Sequence, residues 1–127
     1  MNSNIFLDYT LRLAGGSSYT GQVNITYLGI EGRICNDGWN DKAARVVCHE
    51  LGYPDGMAYY HYKSDMDAVG PYWTSNVTCH GNESNISECS HVGFGNVQEC
   101  KGKHYAGVLC FDEQGMFWGI RYLIVYC

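Results

Sequence analysis

Concentrated positive charge, paired metal-binding cysteines and long apolar runs are all missing from this sequence, and each absence removes a class of protein. The eight Lys and Arg side chains stand singly in a chain of formal charge -5. Nothing could neutralise a phosphate backbone, so nucleic acid is not a partner, and polyanion binding through bare positive charge is weak for the same reason. No C-x2-C pair and no H-x3-H companion is present, which argues against structural zinc. No nucleophile elbow, HExxH helix, phosphate loop or Cys-His arrangement appears. His49 therefore reads as an exposed helix residue, and His91 and His104 as loop or strand-end groups, none of them catalytic. The opening MNSNIFLDYTLRL has no basic start, no sustained apolar core and no small-residue cleavage site, so no secretion signal can be read. MFWGIRYLIVYC, residues 116–127, is strongly apolar but is interrupted by Arg121 and is too short to span a bilayer. Internal repeats are absent.

Cysteine is what the chain has in excess. Seven occur in 127 residues, and all but Cys127 lie between residues 35 and 110. A chain of this length forms one domain with a modest core, and disulfides in an oxidising compartment would replace stability that such a core cannot supply. Four N-x-S/T sequons, at Asn24, Asn76, Asn82 and Asn85, point the same way, toward a glycosylated domain that is secreted or is the ectodomain of a membrane protein. Asn82 and Asn85 are close enough to compete. On that reading the chain is a fragment, an incomplete gene model or one module of a longer precursor, and membrane association would come only through flanking sequence.

The sequence is organised around Gly32 to Gly52, GRICNDGWNDKAARVVCHELG. A short strand through Cys35 enters a tight Asn36-Asp37-Gly38-Trp39 turn and then a helix. Asn40 or Asp41 can cap the helix, and Gly52 can end it. Ala44, Val47, Cys48 and Leu51 fall on one apolar face, with Arg45, His49 and Glu50 on the others. Before this unit, residues 1–9 read as a remnant or linker, Leu11 and Leu13 as a first strand, and Gly15 to Ser18 as a loop. Val23, Ile25 and Tyr27 alternate with polar residues, which predicts a strand whose wet face carries Asn24. Leu28-Gly29 turns this strand back as a hairpin. After the helix, Tyr53-Pro54-Asp55-Gly56 reads as a turn. Tyr59, Tyr60 and Tyr62 read as core tyrosines with bonded hydroxyls, and Lys63 to Pro71 as an exposed loop. Trp73 to Thr78 predicts a strand, Cys79 to Cys89 closes a short loop, and Tyr105 to Cys110 predicts the last strand. Spacing alone leaves fifteen pairings open for the six clustered cysteines.

The order of these features resembles a scavenger receptor cysteine-rich domain. The matching stretches are Arg12-Leu13-x-Gly-Gly-Ser, Gly21-x-Val, Gly32-x-x-Cys35-x-Asp37-Gly38-Trp39 and Ala44-x-Val46-Val47-Cys48-x-x-Leu51-Gly52. They continue through Cys79-x-Gly81-Asn82-Glu83-Ser84, Glu88-Cys89, His91-x-Gly93-x-Gly95 and Cys100 to Ala106-Gly107-Val108-x-Cys110. The resemblance implies an α+β, disulfide-rich domain over residues 10–112, a curved and mostly antiparallel sheet cradling one main helix. Residues 113–127 read as an apolar tail, a truncation or a gene-model boundary, with Cys127 unpaired. It implies the bridges Cys35–Cys100, Cys48–Cys110 and Cys79–Cys89, each worth roughly 3 to 4 kcal/mol on a chain-entropy account, so reduction should unfold the domain. Some members of the family carry a further bridge between the Gly-Ser loop and the residue after the helix. Tyr19 or Thr20 and Tyr53 stand there, which places this chain in the six-cysteine group.

The resemblance also implies an acidic cation cluster, here thinned. Asn36 stands where an acid is usual, Asp37 remains, Ser75 and Asn76 replace upstream acids, and Asn82 and Glu83 are retained. Calcium favours several charged oxygens, so no cofactor is required, and Asp37 and Glu83, with Asn36 or Asn82, would form at most a weak Ca2+ or Mg2+ site. The competing reading is exposed acids hydrogen-bonded to turn amides. For function, the resemblance implies a non-enzymatic extracellular recognition module for protein or polyanionic ligands. The alternatives are an accessory targeting module of a protease or amine oxidase and a glycosylated structural spacer.

Overall fold

The computed structural model describes residues 8–59, 70–95, 97, 100 and 104–112. Strand β1, Tyr9–Ala14, runs antiparallel to β2, Thr20–Tyr27, and β2 returns as β3, Ile30–Ile34. β1 starts one residue before the expected domain boundary, with Tyr9 opposite Tyr27. The two-residue connection of the β2–β3 hairpin has Leu28 at φ 54° and Gly29 at φ 79°. Positive φ at both positions gives the turn a twist that matches the flanking strands.

Helix α1, Asp41–Glu50, follows the Cys35 strand as the periodicity predicts. Of the two candidate caps, Asn40 takes the role, its Oδ1 accepting from the Ala43 N–H at 3.1 Å. Asp41 turns outward and accepts from the Ala58 N–H at 2.9 Å. The buried arc, Ala43, Ala44, Val46, Val47 and Cys48, is wider than the expected face because α1 packs against two strands. These are β4, Asp55–Ala58, and β6, Gly107–Phe111, which pair antiparallel with each other. β5, Tyr72–Thr74, pairs parallel with β3 and ends sooner than the expected Trp73 to Thr78 strand. Thr78 instead forms an isolated bridge to Ser90.

The sheet order is β4-β6-β2-β3-β5, with β1 also on β2. β6 pairs with Thr20, Gly21 and Gln22, while β3 pairs with Asn24 through Tyr27. Two strands thus divide one edge of β2 while β1 takes the other, and the sheet curls around the helix. The core includes Val23, Ile25, Ile34, Trp39, Val47 and Val108.

Three expectations are corrected. The strand β2 has no wet face at Asn24, which is 1% exposed, as Gln22 is buried too. Flanking strands cover that side: Arg12 on β1 and Glu31 on β3 reach across β2 and pair. Asp55-Gly56 is not a turn but the start of β4. Gly56 is used for close approach, since a Cβ there would drive into Cys48 Sγ and lie 3.0 Å from both Cys48 Cβ and the Leu109 carbonyl oxygen. Tyr59 is 44% exposed and does not fill the core, because it lies just past β4, where its N–H still donates to the Gly107 carbonyl. Tyr60, Tyr62, residues 63–69, the 113–127 tail and Cys127 lie outside the described residues.

Candidate functional site

The six clustered cysteines form three disulfides, Cys35–Cys100, Cys48–Cys110 and Cys79–Cys89. The first two fasten the strand and helix of the organising segment to the end of the domain. The third closes a loop that contains a short 3-10 helix, Ile86–Glu88. Around the Cys35 turn, Gly38 takes φ 78° and the Trp39 N–H donates to the Asn36 carbonyl at 3.0 Å. The Trp39 indole N–H is used internally, donating to the Gly107 carbonyl at 2.9 Å.

The acids expected for a cation are placed at two loops. Asp37 accepts the Asn76 N–H on its carbonyl at 3.0 Å, so the Asn76 loop lies directly against the Asp37–Gly38 turn. Asn36 Oδ1 is buried with no hydrogen-bond partner, an oxygen that could serve a ligand. Glu83 braces its own turn: one carboxylate oxygen accepts from the His80 N–H at 2.8 Å and the other from the Gly81 N–H at 2.9 Å. Burial, the largest single influence, pushes the Glu83 carboxyl up, but the His80, Gly81 and Glu83 backbone amides and the nearby His80 ring together hold the group below its ordinary range. Asn82 is exposed beside it. Among the described residues, donor groups that gather three side chains combine Asp37 only with Cys35 and Cys100, and Glu83 only with Cys79 and Cys89. The sulfurs in both sets are oxidised and cannot act as thiolate ligands.

A second constellation connects elements far apart in sequence. The Tyr9 hydroxyl and the Ile86 N–H both donate to Glu50 Oε1, at 3.1 and 3.0 Å, and the Ser87 N–H donates to the Tyr9 hydroxyl oxygen at 3.3 Å. Burial pushes the Glu50 carboxyl above its ordinary value against these bonds, with the nearby Glu88 charge adding to the rise. Tyr9 also packs on Phe94, Phe94 meets Tyr27 edge-on, and Tyr27 meets Trp73 edge-on. His91 lies against Phe94, and burial lowers its pKa. At the outer end of this cluster the hairpin tip exposes Leu28 (74%) and Ile30 (53%) beside a cleft of about 250 Å³ bordered by Asp8, Tyr9, Thr10, Thr26 and Tyr27.

Residues 13–111 match the family model of the scavenger receptor cysteine-rich domain. The chain belongs to this family. It is 39% identical over 102 residues to the mouse macrophage scavenger receptor types I and II, covering 80% of this chain and 22% of that protein. It is 36% identical over 105 residues to mouse lysyl oxidase homolog 3, covering 81% of this chain and 14% of that protein. The chain therefore spans less than a quarter of these curated relatives. Among solved structures, the SRCR domain of mouse MARCO in its dimeric form matches with a TM-score of 0.63 at 34% identity, over 78% of this chain and 92% of that one. The third SRCR domain of murine neurotrypsin matches with a TM-score of 0.65 at 33% identity, over 81% and 96%.

The SRCR fold explains one substitution noted in the sequence. Where other members were expected to carry a further bridge, the Tyr53 hydroxyl donates to the Ser18 carbonyl at 2.8 Å, so a hydrogen bond joins the segment after the helix to the Gly-Ser loop. Among the described residues, the three arginines of this SRCR domain are committed to acids, aromatic rings or backbone carbonyls. Arg12 pairs with Glu31 and Arg45 with Asp55, at 2.8 Å for the latter. Arg33 lies 4.3 Å from the ring centre of Tyr72 and 4.9 Å from that of Tyr105, and donates to the Gly70 carbonyl at 2.8 Å. The Arg33 stack and the Tyr9–Glu50 bond escaped the sequence reading because their partners lie tens of residues away. An acid on a helix face gives no local sign of such a partner.

Proposed function

We propose that this domain is an extracellular, non-enzymatic ligand-recognition module that binds protein ligands and requires no cofactor. The observation that carries the reading is modularity. One domain fills most of this chain, yet only 14% of a lysyl oxidase homolog and 22% of a macrophage scavenger receptor. A unit shared by an oxidase-named and a receptor-named protein contributes something separable from oxidation, and recognition is the simplest such contribution. The commitment of Arg12, Arg33 and Arg45 to acids and aromatic rings supports protein ligands over polyanions, since those cations are already partnered. The two separate settings of Asp37 and Glu83, and the use of Glu83 as a turn brace, support a Ca2+ or Mg2+ contribution that is weak at most.

The test is a binding screen of the purified, oxidised domain against extracellular proteins and an immobilised sulfated polysaccharide, each in calcium and in chelator. Saturable protein binding that survives chelation is the expected result. Binding restricted to the polysaccharide, or lost with the chelator and with Glu83→Gln, would overturn the cation-independent protein reading. A second reading, an accessory module of an oxidase, is favoured by the lysyl oxidase homologs among the relatives. Sequence adjoining this chain decides it.

A further inference from the structure

Four sequons look equivalent in the sequence, but the fold places them in different surroundings. Asn24 lies on β2, between Arg12 of β1 and Arg33 of β3 in register, and is 1% exposed. Its Oδ1 accepts from Gln22 Nε2 at 2.9 Å, inside the sheet. A glycan on its amide nitrogen could leave only by displacing the strand-crossing Arg12–Glu31 pair. Asn85 is half-buried, and its amide oxygen accepts from the Ser87 hydroxyl of its own sequon. Asn76 and Asn82 are exposed on loops. Asn76 adopts φ 54°, and its backbone N–H is bonded to Asp37. Asn82 stands between Gly81 and the Glu83 brace.

We propose that the folded domain carries N-linked glycans at Asn76 and Asn82 and excludes one at Asn24, so that carbohydrate sits beside Asp37 and Glu83 and the Leu28–Ile30 hairpin stays bare. The donor is an oligosaccharide held on a lipid diphosphate. The asparagine amide nitrogen attacks its anomeric carbon and forms the N–C bond. The C–O bond to phosphate breaks, the lipid diphosphate leaves with the electron pair, and the amide proton passes to a base of the transferase. A glycan is bulky and hydrophilic. A chain modified at Asn24 would therefore have to forgo the β1–β2–β3 packing, and it drops out of the correctly folded pool. The inference rests on the extracellular reading, because the donor is supplied in the secretory pathway.

The experiment expresses the full chain behind a secretion leader in animal cells. Glycans are removed with peptide N-glycanase in heavy-oxygen water, which marks each formerly occupied asparagine, and sites are mapped by mass spectrometry in the pool with three disulfides. Label at Asn76 and Asn82 and none at Asn24 is the expected pattern. Thr78→Ala and Ser84→Ala, both at exposed positions, should each remove one glycan from the secreted protein, and Thr26→Val should remove none and should not lower secretion, since it only abolishes a sequon whose use diverts chains from folding. Label at Asn24 in the three-disulfide pool, a bare Asn76, or Asn85 occupied in place of Asn82 would overturn the proposal. The leader separates the two readings: this pattern with a leader, together with carbohydrate-free protein from the native source, would refute the extracellular location and leave the site assignment standing.

Discussion

Replacing Gly56 by Ala adds one methyl group at a point where strand β4 crosses the Cys48–Cys110 disulfide. The backbone there is extended, so the substitution carries no conformational strain, and Ala restricts the unfolded chain by about 0.4–1 kcal/mol in favour of folding. Against this stands the steric cost. The new Cβ would drive into Cys48 Sγ and lie 3.0 Å from Cys48 Cβ and from the Leu109 carbonyl oxygen. None of these can rotate away, since the sulfur is bridged to Cys110 and Leu109 is paired with Met57. Overpacking a tight core costs about 1–3 kcal/mol, and an immovable wall puts this site at the upper end. The net loss is about 2 kcal/mol, a fall of about 10 °C in Tm for a domain of this size. Because most of the clash is with one sulfur, Gly56→Ala should couple to the bridge. In a Cys48→Ala/Cys110→Ala background its cost should drop below about 1 kcal/mol. Urea unfolding of the four corners of this cycle, in sucrose so that the bridge-free chains stay folded, measures the coupling. Gly52→Ala is the control: Gly52 has φ 98° and open space around its Cβ position, so Ala there should cost about 1 kcal/mol from backbone strain alone and show no coupling. Equal cost for Gly56→Ala with and without the bridge would refute the reasoning.

Leu28→Asn should stabilise the domain by about 0.5–1 kcal/mol, because Leu28 holds φ 54° at a turn position suited to Asn and is 74% exposed; a lower urea midpoint would refute this. Tyr53→Phe removes only the bond to Ser18 and should cost about 1 kcal/mol, with faster amide exchange in the Gly15–Tyr19 loop as the specific readout. Stability should vary with pH through Glu50 and His91 in opposite senses. Between the ordinary glutamate value of 4.5 and the raised folded value of Glu50, the folded chain keeps a proton that the unfolded chain has lost, so stability falls as pH rises. Between the lowered folded value of His91 and its ordinary 6.5, the unfolded chain holds the extra proton, so stability rises with pH. Glu50→Gln, which can still accept from Tyr9 and Ile86, should remove the fall and match or exceed the native stability at pH 7. Urea midpoints from pH 4 to 8 check both signs, and a larger fall in the Gln variant would contradict the Glu50 assignment.

What was legible in the sequence is what local physics determines. Asn40 and the Ala44, Val47, Cys48 spacing specify α1 without reference to the rest of the chain, and Leu28-Gly29 specifies a hairpin. The disulfide pairing follows only from the family resemblance, since loop lengths do not choose among the alternatives. The misread positions share one cause. Gln22 and Asn24 alternate with apolar residues as on a strand with one wet face, but two strands divide one edge of β2 and Arg12 joins Glu31 across it. Pro54-Asp55-Gly56 has turn composition, yet Gly56 is there to let β4 approach a sulfur contributed by α1. Glu50 has the polarity of a solvent-facing helix residue, but Tyr9, 41 positions earlier, and Ile86, 36 positions later, close over it. In each case local composition points to the average environment of a polar residue or a glycine, and a partner distant in sequence changes that environment. The same reasoning bears on the candidate site. The resemblance leads to the expectation that Asp37 and Glu83 share one cation cluster, but among the described residues they gather with different partners, and Glu83 is committed to the amides of His80 and Gly81, so binding anything else there requires that local turn to relax.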